Sequence, residues 1–203
     1  MLELPHQTIL GAAAIQDPTA GPMHIIGNLP FNVATPLLLQ WLRMLSERQG
    51  LFSKSDIWMT LMFQKEVAQR LTAEPSTAHR GRLAVMTQSL CHAKTVYQVP
   101  SSVFVPRPKV DASVVQLKPK LPFTSRMESD VYSALEGVLR VYFTKRRKTV
   151  GNITRQLSKE LCLPDSVLAD MESIVDFKAR PEDITTEQFW KVAELFVKRK
   201  IAL

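Results

Sequence analysis

Short apolar segments of strand length alternate with helix-length segments in the first part of this 203-residue chain. Ile57 to Phe63 is a nearly continuous apolar run, a pattern typical of a parallel-sheet strand that is covered on both faces. His24 to Gly27 predicts a second strand. A helix is predicted to begin with Thr35 as N-cap and Pro36 as the first helical residue. This alternation predicts an α/β layered fold.

Two more helices and two more strands follow in the predicted order. The helices span Gln64 to Ala73 and Arg82 to Cys91, and the strands span Lys94 to Val99 and Ala112 to Leu117. A loop punctuated by prolines, from Pro100 to Val110, separates the two strands. We expect this closing pair to finish the sheet in antiparallel fashion.

Only helical patterns follow Pro119 and Pro122. Apolar residues there recur at helical spacing, and Thr185 with Gln188 forms a capping box for the last helix. The sequence therefore predicts a partial α/β core and a small all-helical domain, at residues 1–120 and 121–203.

The composition narrows the classes of function. No apolar run approaches the roughly 20 residues that span a bilayer, so no membrane partner is expected. The net charge of +7 and the pI near 9.6 favour a polyanionic partner, most simply nucleic acid. Cys91 and Cys162 lie far apart and the histidines lack ligand spacing, which predicts reduced thiols and no metal site.

The first 22 residues contain Glu3 and Asp17 but neither Lys nor Arg. A mitochondrial transit peptide is rich in Arg and poor in acidic residues, and a secretory signal has a basic start. The segment matches neither class, and we interpret it as a loop that enters the first strand.

The stretch Asn28-Leu29-Pro30-Phe31 lies where the first strand ends, the place where ligands bind in open α/β sheets. An Asn side-chain oxygen and a backbone carbonyl can each accept a hydrogen bond from the N6 amine of adenine, which directs the nitrogen lone pair at an electrophile. Pro30 donates no competing N–H. Phe31 can stack on a flipped base. The same four residues are also typical of a simple turn.

Several ordered motifs resemble those of the rRNA adenine N6,N6-dimethyltransferases, and most closely those of the mitochondrial members. Asn28 to Leu37 resembles the family's fourth motif, and Val103 to Asp111 resembles its eighth. Three further segments resemble its next helix, the start of its C-terminal domain and its late turn: Phe63 to Leu71, Phe143 with Arg146 to Lys148, and Arg180 to Ile184.

This resemblance implies the C-terminal half of a Rossmann-like methyltransferase core, with S-adenosylmethionine as methyl donor. The implied substrate is a pair of adjacent adenines in a hairpin near the 3′ end of small-subunit rRNA, and the implied location is the mitochondrial matrix. Asn28 would accept from N6 and line the donor site, and Pro30 would contribute its carbonyl. Phe31 and Phe104 would sandwich the adenine.

Six basic residues and no acidic residue lie between positions 144 and 159. We predict phosphate contacts from Lys145, Arg146, Arg147, Lys148 and Arg155. A solvated helix face or a localisation-like tract is the alternative interpretation.

The family's glycine-rich donor loop has no counterpart here, since none of the seven glycines forms a G-x-G pattern. We expect this chain, as a truncated form that begins just before the fourth motif, to bind the donor poorly and to be weak or inactive alone. We also expect a monomer with an exposed apolar edge at the His24–Gly27 strand. The alternatives are a non-catalytic RNA-binding factor for ribosome assembly or mitochondrial transcription, and a DNA amino-methyltransferase.

Overall fold

A computed structural model describes residues 23–53, 57–120 and 127–203 of the chain. The interpretation of residues 1–22 and the predicted boundary at Pro122 lie outside these ranges. The α/β class is confirmed.

The described sheet has four strands in the order β1-β2-β4-β3. β1 is parallel to β2, whereas β4 is antiparallel to both β2 and β3. All four predicted strands are present, and the antiparallel finish is confirmed. The strands are β1 (Met23–Gly27), β2 (Ile57–Gln64), β3 (Cys91–Val99) and β4 (Ala112–Pro119).

β2 is buried on one face only, so the prediction of a strand covered on both faces is wrong for the described residues. Met59 and Leu61 are fully buried, but the alternate residues are half-buried. Trp58 and Met62 made the run look continuous because both are apolar. Trp58 lies on the half-buried face, where its ring meets the Lys118 Nζ at 3.6 Å from the ring centroid.

Among the described strands, β1 has only β2 as a neighbour. Ile26, on the more exposed face of β1, is 80% exposed. The expected exposed apolar edge and its effect on aggregation stay predictions.

Helix α1 (Phe31–Glu47) begins five residues before the predicted start. Pro30 is the N-cap, and Pro36 lies inside the helix, so the assignment of Thr35 as N-cap is wrong. Pro36 cannot donate to the carbonyl of Asn32, one turn earlier. The helix continues past this missing bond because Ala34 belongs to the same buried stripe as the leucines that follow Pro36.

The described residues divide into two compact units. One contains the sheet and α1, and the other contains Gln69–Ser89 with the C-terminal helices. The Ser76 N–H donates to the Glu182 carbonyl (2.9 Å), and the Ser76 hydroxyl donates to the Asp183 carboxylate (2.8 Å). The domain division at residue 120 stays a prediction. It did not place residues 69–89 with the C-terminal helices, to which Ser76 attaches them through Glu182 and Asp183.

The second unit is built from helices, as predicted. Tyr142 is central to its core: its ring meets Phe189 edge-on at 6.0 Å, and its hydroxyl shares a 2.7 Å hydrogen bond with Thr154. The capping box of Thr185 and Gln188 is confirmed. The remaining helices are α2 (Lys65–Leu71), which joins the units, α3 (Arg82–Leu90), α4 (Met127–Thr144), α5 (Val150–Glu160), α6 (Asp165–Ile174) and α7 (Thr186–Lys198).

Gly151 packs its backbone against Phe177, and we expect Gly151→Ala to lower the free energy of unfolding by about 2 kcal/mol through overpacking. An added Cβ would lie 2.9 Å from the Phe177 carbonyl oxygen, which already accepts from the Gly151 N–H. Urea denaturation measures this loss. Gly81→Ala is the matched control, because its Cβ would meet only the His79 carbonyl oxygen at 3.9 Å. Equal losses for the two variants would contradict the packing argument.

Candidate active site

Sheet topology brings three chain connections to one edge. Gly27 at the end of β1 is paired with Leu61, close to the carboxyl end of the parallel strand β2. Gln64 at that end is paired with Ala112, where the antiparallel strand β4 begins, and Val99 at the end of β3 is also paired with Ala112. The loop after β1, the β2–α2 junction and the β3–β4 loop therefore lie at the same edge of the sheet.

Both segments that were predicted to contact the base start from this edge. Asn28 to Pro30 connect β1 to α1, and Phe104 belongs to the β3–β4 loop. β2 separates β1 from β4, so across the sheet the end of β1 lies about 10 Å from β4, twice the spacing of neighbouring strands. The register adds to this separation, because Gly27 is paired with Leu61 whereas β4 begins opposite Gln64, three residues further along β2.

The Asn28 side chain is exposed, and no hydrogen bond to it is present among the described residues. A polar amide that is fixed on the backbone but has no internal partner is available to a ligand. The preceding Gly27 packs closely: a Cβ there would lie 2.9 Å from Leu61 Cδ2 and 3.4 Å from Leu29 Cγ. This close approach holds the end of β1 against β2 and so fixes the backbone that carries Asn28.

The Pro30 carbonyl accepts two hydrogen bonds at the start of α1, from the N–H groups of Val33 (2.9 Å) and Ala34 (3.1 Å). A carbonyl oxygen has two lone pairs, and both are directed to the helix. The role that we predicted for this carbonyl, accepting from N6, conflicts with this geometry. Within the described ranges the Leu29 carbonyl accepts no such bond, which makes it the better acceptor. Sequence reasoning missed Leu29 because it took the carbonyl from the motif resemblance and placed the first helical residue at Pro36, well after Pro30.

Phe31 and Phe104 are both half-buried, so part of each ring is accessible. Phe31 is the first residue of α1, and its backbone is fixed by the helix. Phe104 has extended backbone geometry (φ −97°, ψ 147°) and donates its N–H to the Ser101 carbonyl at 3.4 Å. The next residue, Val105, is 99% exposed and precedes a cis Pro106.

The predicted basic cluster belongs to the second unit, in the turn after α4 and on α5, and its members differ in their contacts. Arg146 Nε lies 3.8 Å from a Glu182 carboxylate oxygen, and the Arg155 guanidinium carbon lies 5.7 Å from the Phe177 ring centroid. Arg147 and Lys148 are exposed, and the described residues hold no partner for either side chain. Lys145 is half-buried. These contacts make Arg147 and Lys148 the cations that are most available to an external phosphate.

Cys91 is fully buried, and burial raises the pKa of its thiol to about 12, although nearby Lys120 acts in the opposite direction. The thiolate is the nucleophilic form, so Cys91 is inert near neutral pH. In the described ranges no helix has the length and apolarity to cross a membrane. The same ranges contain no cluster of three His, Cys, Asp or Glu side chains that could hold a metal ion.

The family model described as "Ribosomal RNA adenine dimethylase" matches residues 3–198, which is nearly the whole chain. The chain belongs to this family. The resemblance predicted from the motifs is therefore confirmed. Methyltransferases of this kind generally use S-adenosylmethionine.

The chain is similar to mitochondrial members of the family. It is 40% identical to dimethyladenosine transferase 1, mitochondrial, of Xenopus tropicalis over 179 residues, which cover 86% of this chain and 50% of the relative. It is also 36% identical over 203 residues to ribosomal RNA small subunit methyltransferase A of Phenylobacterium zucineum (strain HLK1), covering 98% of this chain and 65% of the relative. The chain thus spans about half the length of its mitochondrial relatives.

A solved structure supports the fold. The crystal structure of a dimethyladenosine transferase from Plasmodium falciparum matches with a TM-score of 0.68 and 26% identity, covering 93% of this chain and 71% of that one. The Rossmann-like methyltransferase fold is therefore confirmed.

Proposed function

We propose that this chain carries the base-accepting part of a site that methylates N6 of two adjacent adenines, twice each, in a hairpin of small-subunit rRNA. The observation that carries the proposal is the exposed Asn28 amide, which has no hydrogen-bond partner among the described residues, at the sheet edge shared with the Phe104 loop. The names of the mitochondrial relatives support a mitochondrial location, and we place the protein in the matrix. The partner is the small ribosomal subunit, and we expect the chain to be a monomer.

The chain's own residues position the adenine amine. The Asn28 side-chain oxygen and the Leu29 carbonyl each accept one N6 hydrogen bond, which favours a tetrahedral nitrogen whose lone pair points away from both acceptors. Pro30 is the N-cap of α1 and keeps these two acceptors at the end of β1. Phe31 and Phe104 stack on the two faces of the flipped base, and this stacking does not require the base to be paired.

S-adenosylmethionine would supply an electrophilic methyl group. Asn28 fits one edge of a donor site, because its amide is exposed and also offers N–H donors. The described residues contain no glycine-rich loop of the kind that lets backbone approach a ligand closely. We therefore propose that residues outside this chain complete the donor site, and that the chain alone methylates RNA weakly or not at all.

The test is a methyl-transfer assay on the small-subunit rRNA hairpin, with products identified by mass spectrometry of the digested RNA. It compares the chain alone with the chain joined to the N-terminal half of the Xenopus tropicalis relative. We expect N6,N6-dimethyladenosine at two adjacent positions only with the joined protein. A folded, RNA-binding joined protein that methylates nothing, or methylates another base, would contradict the proposal.

A non-catalytic RNA-binding role is the second candidate, and the exposed Arg147 and Lys148 side chains, which have no partner in the described part of the chain, favour it. Replacing both with Gln should weaken RNA binding at low salt. It should also lower the slope of log affinity against log salt by about 1.5, since each phosphate contact contributes roughly 0.7–0.9. Fluorescence anisotropy at several salt concentrations measures both effects.

The matched control for this pair removes two exposed lysines of α7, Lys191 and Lys198, and so makes the same change in net charge. An equal fall in the slope for both pairs would show that overall charge, rather than this cluster, binds the RNA. If RNA binding proves cluster-dependent and the joined protein is inactive, the second candidate replaces the first.

A further inference from the structure

Asp111 closes the β3–β4 loop at its base. One carboxylate oxygen accepts the Ser101 N–H at 2.9 Å, which joins the two ends of the loop. The other lies 4.0 Å from Lys65 Nζ, and the Asp111 carbonyl accepts the Lys65 N–H at 2.9 Å. One residue therefore connects both ends of the loop to the β2–α2 junction, at the edge where Asn28 lies.

Ser101 passes this constraint on to Phe104. The Ser101 carbonyl accepts the Phe104 N–H, and its hydroxyl accepts from Arg107 Nε at 3.4 Å. The connection runs from Lys65 through Asp111 and Ser101 to the backbone of Phe104. The residues that follow Phe104 in the loop, 105–110, are mostly exposed, so they supply few other contacts that could fix the loop.

The ion pair of Asp111 is too exposed to contribute much to overall stability. The Asp111 and Lys65 side chains are 45% and 48% exposed, and exposed ion pairs stabilise proteins little. The shorter, partly buried hydrogen bond from Ser101 joins the two ends of one loop, so its main effect is on the position of that loop.

We propose that Asp111 is a positioning residue that holds the Phe104 ring in place for the target adenine. This inference rests on the proposed function for the identity of the base. The decisive contact is the hydrogen bond from the Ser101 N–H to Asp111, because it fixes Ser101, whose carbonyl accepts the Phe104 N–H.

The test places 4-fluorophenylalanine at position 104 of this chain and records its ¹⁹F NMR signal with and without the rRNA hairpin. Asp111→Ala should move the signal of the free protein towards that of the unfolded chain. It should also lower hairpin affinity about fivefold, a large part of the roughly tenfold loss expected for Phe104→Ala without the label. Asp111→Asn keeps an oxygen acceptor for Ser101, and Lys65→Gln removes only the ion pair, so both should stay near the parent protein.

An unchanged signal and affinity in Asp111→Ala would overturn the inference. The proposed function fails separately: in that case the parent signal would not respond to the hairpin, or would respond equally when the target adenines are replaced by uridines. Thermal melting of each variant shows whether the fold is intact. If Asp111→Ala unfolds the chain, the comparison of Asp111→Asn with Asp111→Glu tests the inference instead. A ¹⁹F signal that changes in Asp111→Glu but not in Asp111→Asn supports the Ser101 contact.

Discussion

Replacing Asn28 with Ala should lower kcat for methyl transfer by about 10²–10³-fold in the joined protein, the size expected when one preorganised polar group is lost from a reacting centre. RNA affinity should fall by no more than about fivefold, because only one of many contacts to the RNA is removed. The reason is that the Asn28 oxygen holds the amine in the geometry in which its lone pair is free to react. Steady-state kinetics with the rRNA hairpin separates the two effects.

Asn32 provides the matched control for this prediction. It is the same residue type, it is exposed and it lies in the first turn of α1, after the residues that hold the base. Asn32→Ala should leave kcat within about twofold, since it removes no contact to the amine. Equal turnover in Asn28→Ala and the parent protein would show that the role assigned to Asn28 is wrong.

Replacing Arg80 with Ala should lower the free energy of unfolding of the second unit by about 3 kcal/mol or more, because buried acceptors lose their donors. Arg80 is fully buried. Its Nη1 donates to the Ala73 carbonyl (3.0 Å) and to Gln88 Oε1 (2.7 Å), and its Nη2 donates to the Thr186 hydroxyl (2.9 Å). It therefore ties the 73–88 segment to the start of α7.

The buried environment of Arg80 disfavours the charged form of its guanidinium. Burial lowers the pKa of its guanidinium, while Glu74 and Glu187 raise it. Nε is also buried without an acceptor among the described residues. Lys should not rescue the site, because an ammonium cannot reproduce the planar fork that reaches acceptors on both segments.

Arg82→Ala is the matched control. Arg82 lies two residues further on and is exposed; its Nε donates to Met86 Sδ at 3.4 Å, and its Nη2 lies 4.0 Å from a Glu136 carboxylate oxygen. These are weak or exposed contacts, so its loss should change stability by less than about 1 kcal/mol. Urea denaturation followed by circular dichroism gives both values. An Arg80→Ala variant that is as stable as Arg82→Ala would contradict the structural role of Arg80.

The sequence predicted the elements well where a single local pattern decides them. β4 and the capping box of Thr185 and Gln188 depend on alternation and on a four-residue motif. The start of α1 was wrong because packing of Ala34 in the same stripe as Leu38 outweighs the helix-breaking effect of Pro36. Long-range contacts decide such cases, and a local pattern does not contain them.

The candidate site shows the same limit. Motif resemblance supplied Asn28, Phe31 and Phe104, but it could not show that the Pro30 carbonyl is used by the helix. The eighth-motif segment ends with Asp111, but the resemblance gave that residue no role, because its contacts to Ser101 and Lys65 depend on the fold. Arg80 was equally invisible, since a lone Arg before a helix is more often solvated than buried.

The most direct test of the central claim, that Asn28 and the Leu29 carbonyl bind the N6 amine, compares two hairpins. One carries adenine at the target position and the other carries purine, which lacks the amine. The parent chain should bind the adenine hairpin about 5–10-fold more tightly, the effect of two hydrogen bonds, and Asn28→Ala should reduce this ratio to about 2. Equal binding of the two hairpins by the parent chain would contradict the account.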